Sequence, residues 1–159
     1  MKIFTIGVYN SSEQQFFDKL IANNIVNFCD IRRRRGVRGK KYSFVNSLRL
    51  QKKIMELDIN YFHFLDLSPT NDIREAQKLE DKKKNVLKSK REHLGEVFSQ
   101  LYQKNHLTIK NINHFNSLIN IEFENTVLFC VEEKPQACHR YLFVQHLAVN
   151  NPQIEIIHL

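Results

Sequence analysis

Short apolar segments alternate along the chain with longer segments in which apolar residues recur every three or four positions. Runs of β-branched and aromatic residues bounded by turn residues are typical of strands, whereas the longer period is typical of amphipathic helices. Strands are predicted at residues 2–7, 25–31, 61–67, 126–131 and 154–159. Because helices separate these strands, the sequence predicts an α/β fold with three layers and a mainly parallel sheet.

The helices are predicted from their capping residues and from the spacing of apolar side chains. The first begins after Ser11 and Ser12 and ends at Asn23 and Asn24. The others are predicted at residues 44–57, at 72–101 with a break near Gly95, at 111–121, and from Pro135 to 149. In the second helix, the residues expected to face the core are Val45, Leu48, Ile54, Met55 and Leu57.

The length of 159 residues predicts one domain, 1–159, with a charged helical insert at about residues 71–121. A chain of this size can bury a full core without disulfides. The three cysteines form no disulfide-rich pattern, and the first ten residues lack the apolar run of a signal peptide, so we expect a reduced, cytoplasmic setting. No apolar run is long enough to span a membrane. Nothing in the sequence predicts the oligomeric state.

A basic loop follows the second predicted strand, with seven cationic residues among positions 32–41. Such a charge density repels itself, and the whole chain carries a net charge of +7, so an anionic partner is expected. Phosphate groups of a nucleotide or a nucleic acid would fit this charge, although charge alone does not select between anions. The predicted anion-binding residues are Arg32, Arg33, Arg34, Arg35, Arg38 and Arg140.

The segment from Cys130 to Arg140 joins a predicted strand to a predicted helix. If the helix begins near Pro135, then Cys138, His139 and Arg140 lie in its first turn, where free N–H groups favour an anion and lower the pKa of a cysteine. Cys138 is therefore the best nucleophile candidate of the three cysteines, and His139 could transfer a proton. Cys130 is expected to be a small core residue, whereas packing of Cys138 against the sheet, and a structural ion pair of His139 or Arg140 with Glu132 or Glu133, remain open.

Two carboxylates are further candidates, because Asp30 ends the second strand and Glu132 follows the fourth. Asp30 could act in catalysis or form an ion pair with Arg32, and the sequence favours neither. We predict no metal site at Cys130, Cys138 and His139, since their spacing matches no zinc finger and adjacent side chains on a helix diverge. A phosphatase or sulfurtransferase loop is also not expected, since the segment is long and carries two glutamates.

Several short motifs resemble those of the DUF488 family, a group of small α/β proteins without an established activity. The matching positions are Thr5-Ile6-Gly7, Asp30-Ile31-Arg32, Cys130, Glu132, Pro135, Cys138-His139-Arg140 and Ile157-His158. An arginine-rich branch of the family is matched by residues 36–39, by Phe44-Val45-Asn46 and by Ile73-Arg74. One departure stands out, since the family carries His-Ser where this chain has Val8-Tyr9. The resemblance implies the fold but identifies neither a reaction nor a cofactor.

Three functions remain open on the sequence alone. The first is an enzyme for a phosphate-bearing substrate, in which Arg32 and Arg140 hold phosphate. In that case Asp30 and Glu132 serve as acid–base groups or hold a divalent metal, while Cys138 and His139 form an activated pair or shape the pocket. The second function is a nucleic-acid-binding module without catalysis, and the third is a sensor of a small acidic metabolite.

Overall fold

A computed structural model describes residues 1–87 and 90–159 of the chain. Five parallel strands form one sheet in the order β3-β2-β4-β1-β5. Their bounds are β1 Lys2–Ile6, β2 Asn27–Asp30, β3 Asn60–His63, β4 Thr126–Phe129 and β5 Glu155–His158. The predicted parallel α/β fold is confirmed, and β4 is the central strand, flanked by β2 and β1.

Helices cover both faces of the sheet and thereby form the outer two of three layers. In the described residues the α-helices are α1 Glu13–Ala22, α2 Ser47–Glu56, α3 Asn71–Lys83, α4 Glu96–His106, α5 Ile109–Leu118 and α6 His139–Asn150. Side chains of α1 and α2 pack on one face, around Phe16 and Phe28. Side chains of α5 and α6 pack on the other, around Phe115 and Phe143. A smaller cluster joins α3 to α4 beside α6.

The ends of α1 follow the sequence prediction. Ser12 caps the helix by accepting a hydrogen bond from the N–H of Gln15, and the Gln15 side chain accepts one from the N–H of Ser12. This reciprocal pair satisfies two N–H groups that the helix itself leaves without partners. Asn24, with a φ of 47°, turns the chain away after the last helical residue.

The predicted buried face of the second helix is partly wrong. Leu48 and Met55 are 85% and 71% exposed, whereas Leu50 and Ile54 are the buried residues of α2. The reason is a break in the helix, because a 3-10 turn at Ser43–Val45 precedes α2 and Asn46 between them is extended. A helical period counted from residue 44 therefore points to the wrong face after the break.

The long charged stretch contains two separate helices, α3 and α4, and Gly95 is the N-cap residue of α4, near the expected break. Residues 88 and 89, which belong to this predicted stretch, lie outside the described residues. No described helix has the length and apolar character that crossing a membrane requires. That residues 71–121 are an insert within a single domain remains a prediction.

The last helix begins later than the sequence predicted. Pro135–Ala137 form a 3-10 turn, Cys138 has an extended backbone, and α6 begins at His139. Proline suits the start of either kind of helix, so sequence alone did not reveal the extra turn. The consequence is that Cys138 is the N-cap residue rather than a residue inside the first turn.

Three loops meet at the carboxyl edge of the sheet, as the parallel arrangement predicts. The N–H groups of Val8 and Tyr9, which follow β1, donate to the carbonyl of Val131 after β4, both at 3.2 Å. After β2, the N–H of Ile31 donates to the carbonyl of Phe129, also at 3.2 Å. Backbone hydrogen bonds therefore hold these loops together.

Gly7 is required by this close approach, since a Cβ atom there would lie 2.0 Å from the carbonyl oxygen of Glu132. We predict that Gly7→Ala lowers the free energy of unfolding by about 1–3 kcal/mol, because backbone rather than a flexible side chain must move. Gly36→Ala is the control, since no atom lies within 4 Å of its added Cβ, and it should change stability by less than about 0.5 kcal/mol. Equal denaturation midpoints for the two variants would contradict the prediction.

Candidate functional site

A buried ion pair between Asp30 and Arg32 lies at the end of β2. Arg32 Nε donates to Asp30 Oδ1 at 2.9 Å and Arg32 Nη2 donates to Oδ2 at 2.7 Å, while the Arg32 backbone N–H also donates to Oδ1 at 3.1 Å. The carboxylate is fully buried, and Arg32 is 3% exposed. Two parallel charge-assisted bonds fix the orientation of the guanidinium group.

Neighbouring aromatic and histidine side chains complete the surroundings of this ion pair. The Tyr61 hydroxyl donates to Asp30 Oδ2 at 2.8 Å, and the Arg32 guanidinium lies 4.5 Å from the centre of the Phe129 ring. His63 Nε2 lies 2.9 Å from the Arg32 carbonyl oxygen. Burial, together with the charge of Asp30, raises the pKa of Tyr61 and keeps its hydroxyl protonated as a donor.

Cys130, Cys138 and His139 form a second buried cluster at the same edge. Each residue offers one ligand-type atom, and the three atoms lie within 4.8 Å of one another. Cys138 Sγ is 3.7 Å from His139 Nδ1, and His139 Nε2 is 2.9 Å from the carbonyl oxygen of Ile31. The expectation that adjacent side chains diverge is wrong here, because Cys138, with φ −139° and ψ 146°, is not helical.

The two thiols of this cluster have opposite pKa shifts. The hydrogen bond with Cys138, reinforced by burial, raises the pKa of Cys130 well above its ordinary value. Burial acts to raise the pKa of Cys138 as well. The hydrogen bond from Cys130 and the electrostatic influence of His139 and Arg140 outweigh this and hold the Cys138 pKa well below its ordinary value. Cys138 is therefore the thiol that more readily becomes a thiolate.

Arg140 is 1% exposed and is one of the charged groups that act on Cys130 and Cys138. Its Nη2 donates to the carbonyl oxygen of Glu133 at 2.9 Å, whereas its Nε and Nη1 have no hydrogen-bond partner among the described residues. The guanidinium also lies close to Gly7 and contributes, after burial, to a lowered pKa of His158. Arg140 thus supplies buried positive charge near the cluster.

A cavity of about 120 Å³ opens above these groups. Its wall includes Cys130, Cys138 and His139 together with several arginine side chains. The arginines that line it are Arg32, Arg33, Arg34, Arg74 and Arg91. Glu132 also lines it, as do Leu94 and Phe98 from the α3–α4 region. The cavity therefore combines positive charge with buried thiol and imidazole groups.

The arginines of the cavity differ in their partners. Arg32 is paired with Asp30, and Arg91 donates to Asp81 at 2.8 Å while its Nη2 lies 3.9 Å from Glu132. Arg33, Arg34 and Arg74 form no ion pair with a carboxylate within residues 1–87 and 90–159. The charges of these three arginines are therefore not offset by a carboxylate, and Arg32 Nη1 is a further buried donor without a hydrogen-bond partner among the described residues.

The structure brings together some of the residues singled out by sequence and separates others. Cys138, His139, Glu132, Arg32, Arg33 and Arg34 line the cavity, whereas Asp30, Arg35, Arg38 and Arg140 do not. Asp30 forms the ion pair that the sequence left open as one of its two roles. The Arg35 side chain interacts with Tyr61, and Arg38 is exposed at the surface.

Sequence reasoning missed Arg74, Arg91 and Tyr61 as site residues. Arg74 and Arg91 belong to the charged stretch between β3 and β4, where a solvated face was the natural interpretation. Arg91 belongs to a basic series that also includes Lys88, which lies outside the described residues. The only sequence signal for Arg74 was its place beside the apolar Ile73. Ile73 is buried in the α3–α4 cluster and so directs α3 against α4.

A wider groove of about 480 Å³ adjoins the cavity and shares Arg91, Glu132 and Ala137 with it. Tyr9 and Tyr42 line this groove with their ring centres 5.3 Å apart. The Tyr42 hydroxyl accepts a hydrogen bond from the Asn10 N–H at 3.0 Å. Phe44, in contrast, is buried in the core, as the sequence favoured.

The model of a family described as "Domain of unknown function DUF488" matches residues 12–147. The chain belongs to the DUF488 family. Comparison with curated proteins and with solved structures found no match. The residues of the DUF488-like motifs, from Asp30-Ile31-Arg32 to Cys138-His139-Arg140, are those that meet at the carboxyl edge of the sheet.

The departure at Val8-Tyr9 also has a structural counterpart. Val8 is fully buried in the hydrophobic core, while its backbone N–H is bonded to Val131. A proton-transfer group is therefore absent at this position. The cavity is lined by other ionisable side chains, namely those of Cys130, Glu132, Cys138 and His139.

Breaking the ion pair at β2 should be costly. We predict that Asp30→Asn lowers the free energy of unfolding by about 3–5 kcal/mol, because it leaves the buried Arg32 guanidinium without its counter-charge. The control is Glu13→Gln, which removes an Arg–carboxylate pair of the same 2.7 Å length that is about half exposed. That change should cost less than about 1 kcal/mol. Chemical denaturation compares the two, and similar losses would contradict the importance of the buried pair.

Proposed function

We propose that this DUF488 protein is an enzyme that acts on a phosphate-bearing substrate, a nucleotide or a nucleic acid, in the arginine-lined cavity. The observation that carries the proposal is the set of guanidinium groups of Arg33, Arg34 and Arg74 around one small cavity. Arginines without carboxylate partners are suited to phosphate, since their donors match its oxygen atoms. The net charge of +7 would attract such a substrate from a distance.

The sizes of the two depressions support a phosphate attached to a larger group. The cavity of about 120 Å³ suits a small anionic group, and the adjoining groove of about 480 Å³ leaves room for a sugar and a base. Tyr9 and Tyr42 in the groove offer aromatic surface on which a base can stack. In this arrangement the phosphate lies among the arginines, and the remainder of the substrate extends past Arg91 and Glu132.

The groups nearest the phosphate that can take part in a reaction are Cys138 and His139. Both line the cavity, and His139 is held in place by its hydrogen bond to the Ile31 carbonyl. Such a bond leaves Nδ1 as the ring atom that faces Cys138. Glu132 at the boundary of the two depressions is the carboxylate best situated for acid–base work, whereas Asp30 is occupied by Arg32.

A nucleic-acid-binding module without catalysis is the second candidate, and the exposed residues Arg38, Lys40 and Lys41 favour it. These side chains continue the positive surface beyond the cavity wall. A sensor of a small acidic metabolite would use the same arginines without converting the ligand. The three functions therefore differ in which arginines bind the ligand and in whether a product forms.

We predict that Arg34→Gln weakens binding of adenosine monophosphate, measured by calorimetry, by about 10- to 100-fold, because one charge-assisted contact to phosphate is lost. The matched control is Arg38→Gln, a change of the same charge in the same loop but outside the cavity, which should alter affinity less than about twofold. Equal losses of affinity in the two variants would mean that the nucleotide binds along the basic surface rather than in the cavity. That result would favour the nucleic-acid-binding module.

Catalysis is tested by incubating the protein with nucleotides and with single- and double-stranded DNA and RNA across a salt series. The proposal predicts a changed product, lost in Arg34→Gln and retained in Arg38→Gln. Salt-sensitive binding with intact nucleic acid would instead identify a binding module. Binding of a free nucleotide or organic acid, with no conversion and no polymer binding, would identify a sensor.

A further inference from the structure

The cluster of two thiols and one imidazole has the composition of a metal centre. We propose that Cys130, Cys138 and His139 bind a zinc ion whose fourth coordination position opens into the arginine-lined cavity. Two cysteines and one histidine are a ligand set that Zn²⁺ uses in proteins, and three protein ligands with one open position are typical of catalytic rather than structural zinc.

The distances within the cluster fit such a site. Tetrahedral zinc with bonds of about 2.0–2.3 Å keeps its ligand atoms about 3.5–3.8 Å apart. Cys138 Sγ and His139 Nδ1 are 3.7 Å apart, and all three ligand atoms lie within 4.8 Å of one another. Small side-chain rotations would therefore be enough to bring the three atoms around one ion.

The orientation of His139 is an independent observation in favour of a metal. Its Nε2 lies 2.9 Å from the Ile31 carbonyl oxygen, so Nε2 carries the proton and Nδ1 presents its lone pair toward the sulfur atoms. Histidine ligands of metals characteristically donate their second N–H to a carbonyl or a carboxylate in this way. The Asp30–Arg32 ion pair holds the chain that provides this carbonyl.

Charge balance also favours zinc in these surroundings. All three residues are buried, and Zn²⁺ would displace the thiol protons and neutralise the two thiolates that it binds within the buried cluster. Zn²⁺ with two thiolates and a neutral imidazole has no net charge, so it adds no repulsion to the neighbouring arginines. A cation bound by carboxylates alone would not explain why two cysteines converge here.

The open position faces Arg32, Arg33 and Arg34, because Cys130, Cys138 and His139 line the same cavity as these arginines. A phosphate oxygen or a water molecule bound there would be polarised by the metal. This chemical role rests on the proposed function, whereas the binding of the metal itself does not. The zinc site and the phosphate site can therefore be tested separately.

The experiment begins with reduced protein that has been stripped of metal, followed by titration with Co²⁺ and displacement by Zn²⁺. We expect one equivalent of Co²⁺, with thiolate-to-cobalt charge-transfer absorption and the visible bands of tetrahedral coordination. Cys130→Ala, Cys138→Ala and His139→Ala should each weaken binding by at least about 100-fold. Cys29→Ala is the matched control, since it removes a buried cysteine of β2 outside the cluster, and it should bind as the wild type does.

Absence of binding to the folded wild-type protein would overturn the proposal, as would unchanged binding by the ligand variants. If the variants fail to fold, X-ray absorption of the zinc-loaded wild-type protein identifies the atoms that bind the metal. A first shell with two sulfur atoms and nitrogen supports the site, and a shell of oxygen and nitrogen alone overturns it. Binding of inorganic phosphate to the metal-free protein is measured in parallel. Zinc binding without phosphate binding contradicts the proposed function alone, and the reverse result contradicts the metal site alone.

Discussion

The buried ion pair between Asp30 and Arg32 determines the geometry of everything else at the carboxyl edge of the sheet. Two parallel hydrogen bonds, with the Tyr61 hydroxyl as a further donor, fix the path of the chain as it leaves β2. That path presents the Ile31 carbonyl to His139 and brings Arg32, Arg33 and Arg34 to the wall of the cavity. Buried charge is costly unless it is fully paired, so this arrangement tolerates little change.

The architecture could be predicted from sequence because its signals are local. Apolar runs predicted the strands, and Ser12 and Asn24 predicted the limits of α1. The alternation of strands and helices predicted the parallel sheet. Convergence of three loops then followed from the direction of the strands. The errors arose where short irregular segments intervene, since the extended residues Asn46 and Cys138 shift the start of α2 and of α6.

The site itself was only partly predictable, because its contacts join residues distant in sequence. Spacing in the sequence does not reveal the side-chain directions on which these contacts depend. Examples are the bonds of Asp30 to Arg32 and Tyr61, and the contact between Cys138 and His139. The positive charge of the basic loop was evident, but not which arginines reach the cavity. Arg74 joins Arg33 and Arg34 only because the α3–α4 region folds over the edge of the sheet. The cavity thus combines arginines of the basic loop, which were evident from the sequence, with Arg74, whose position depends on long-range contacts.

A crystal structure of the protein grown with inorganic phosphate would test most directly whether the cavity arginines bind phosphate. We expect phosphate in the cavity, within hydrogen-bond distance of the Arg34 and Arg74 guanidinium groups and beside Cys138 and His139. Anomalous scattering from crystals that also contain Zn²⁺ would reveal in the same experiment whether a metal lies between the phosphate and the thiols. Phosphate bound only along the exposed residues Arg38 to Lys41, with the cavity arginines turned away, would contradict a phosphate site in the cavity.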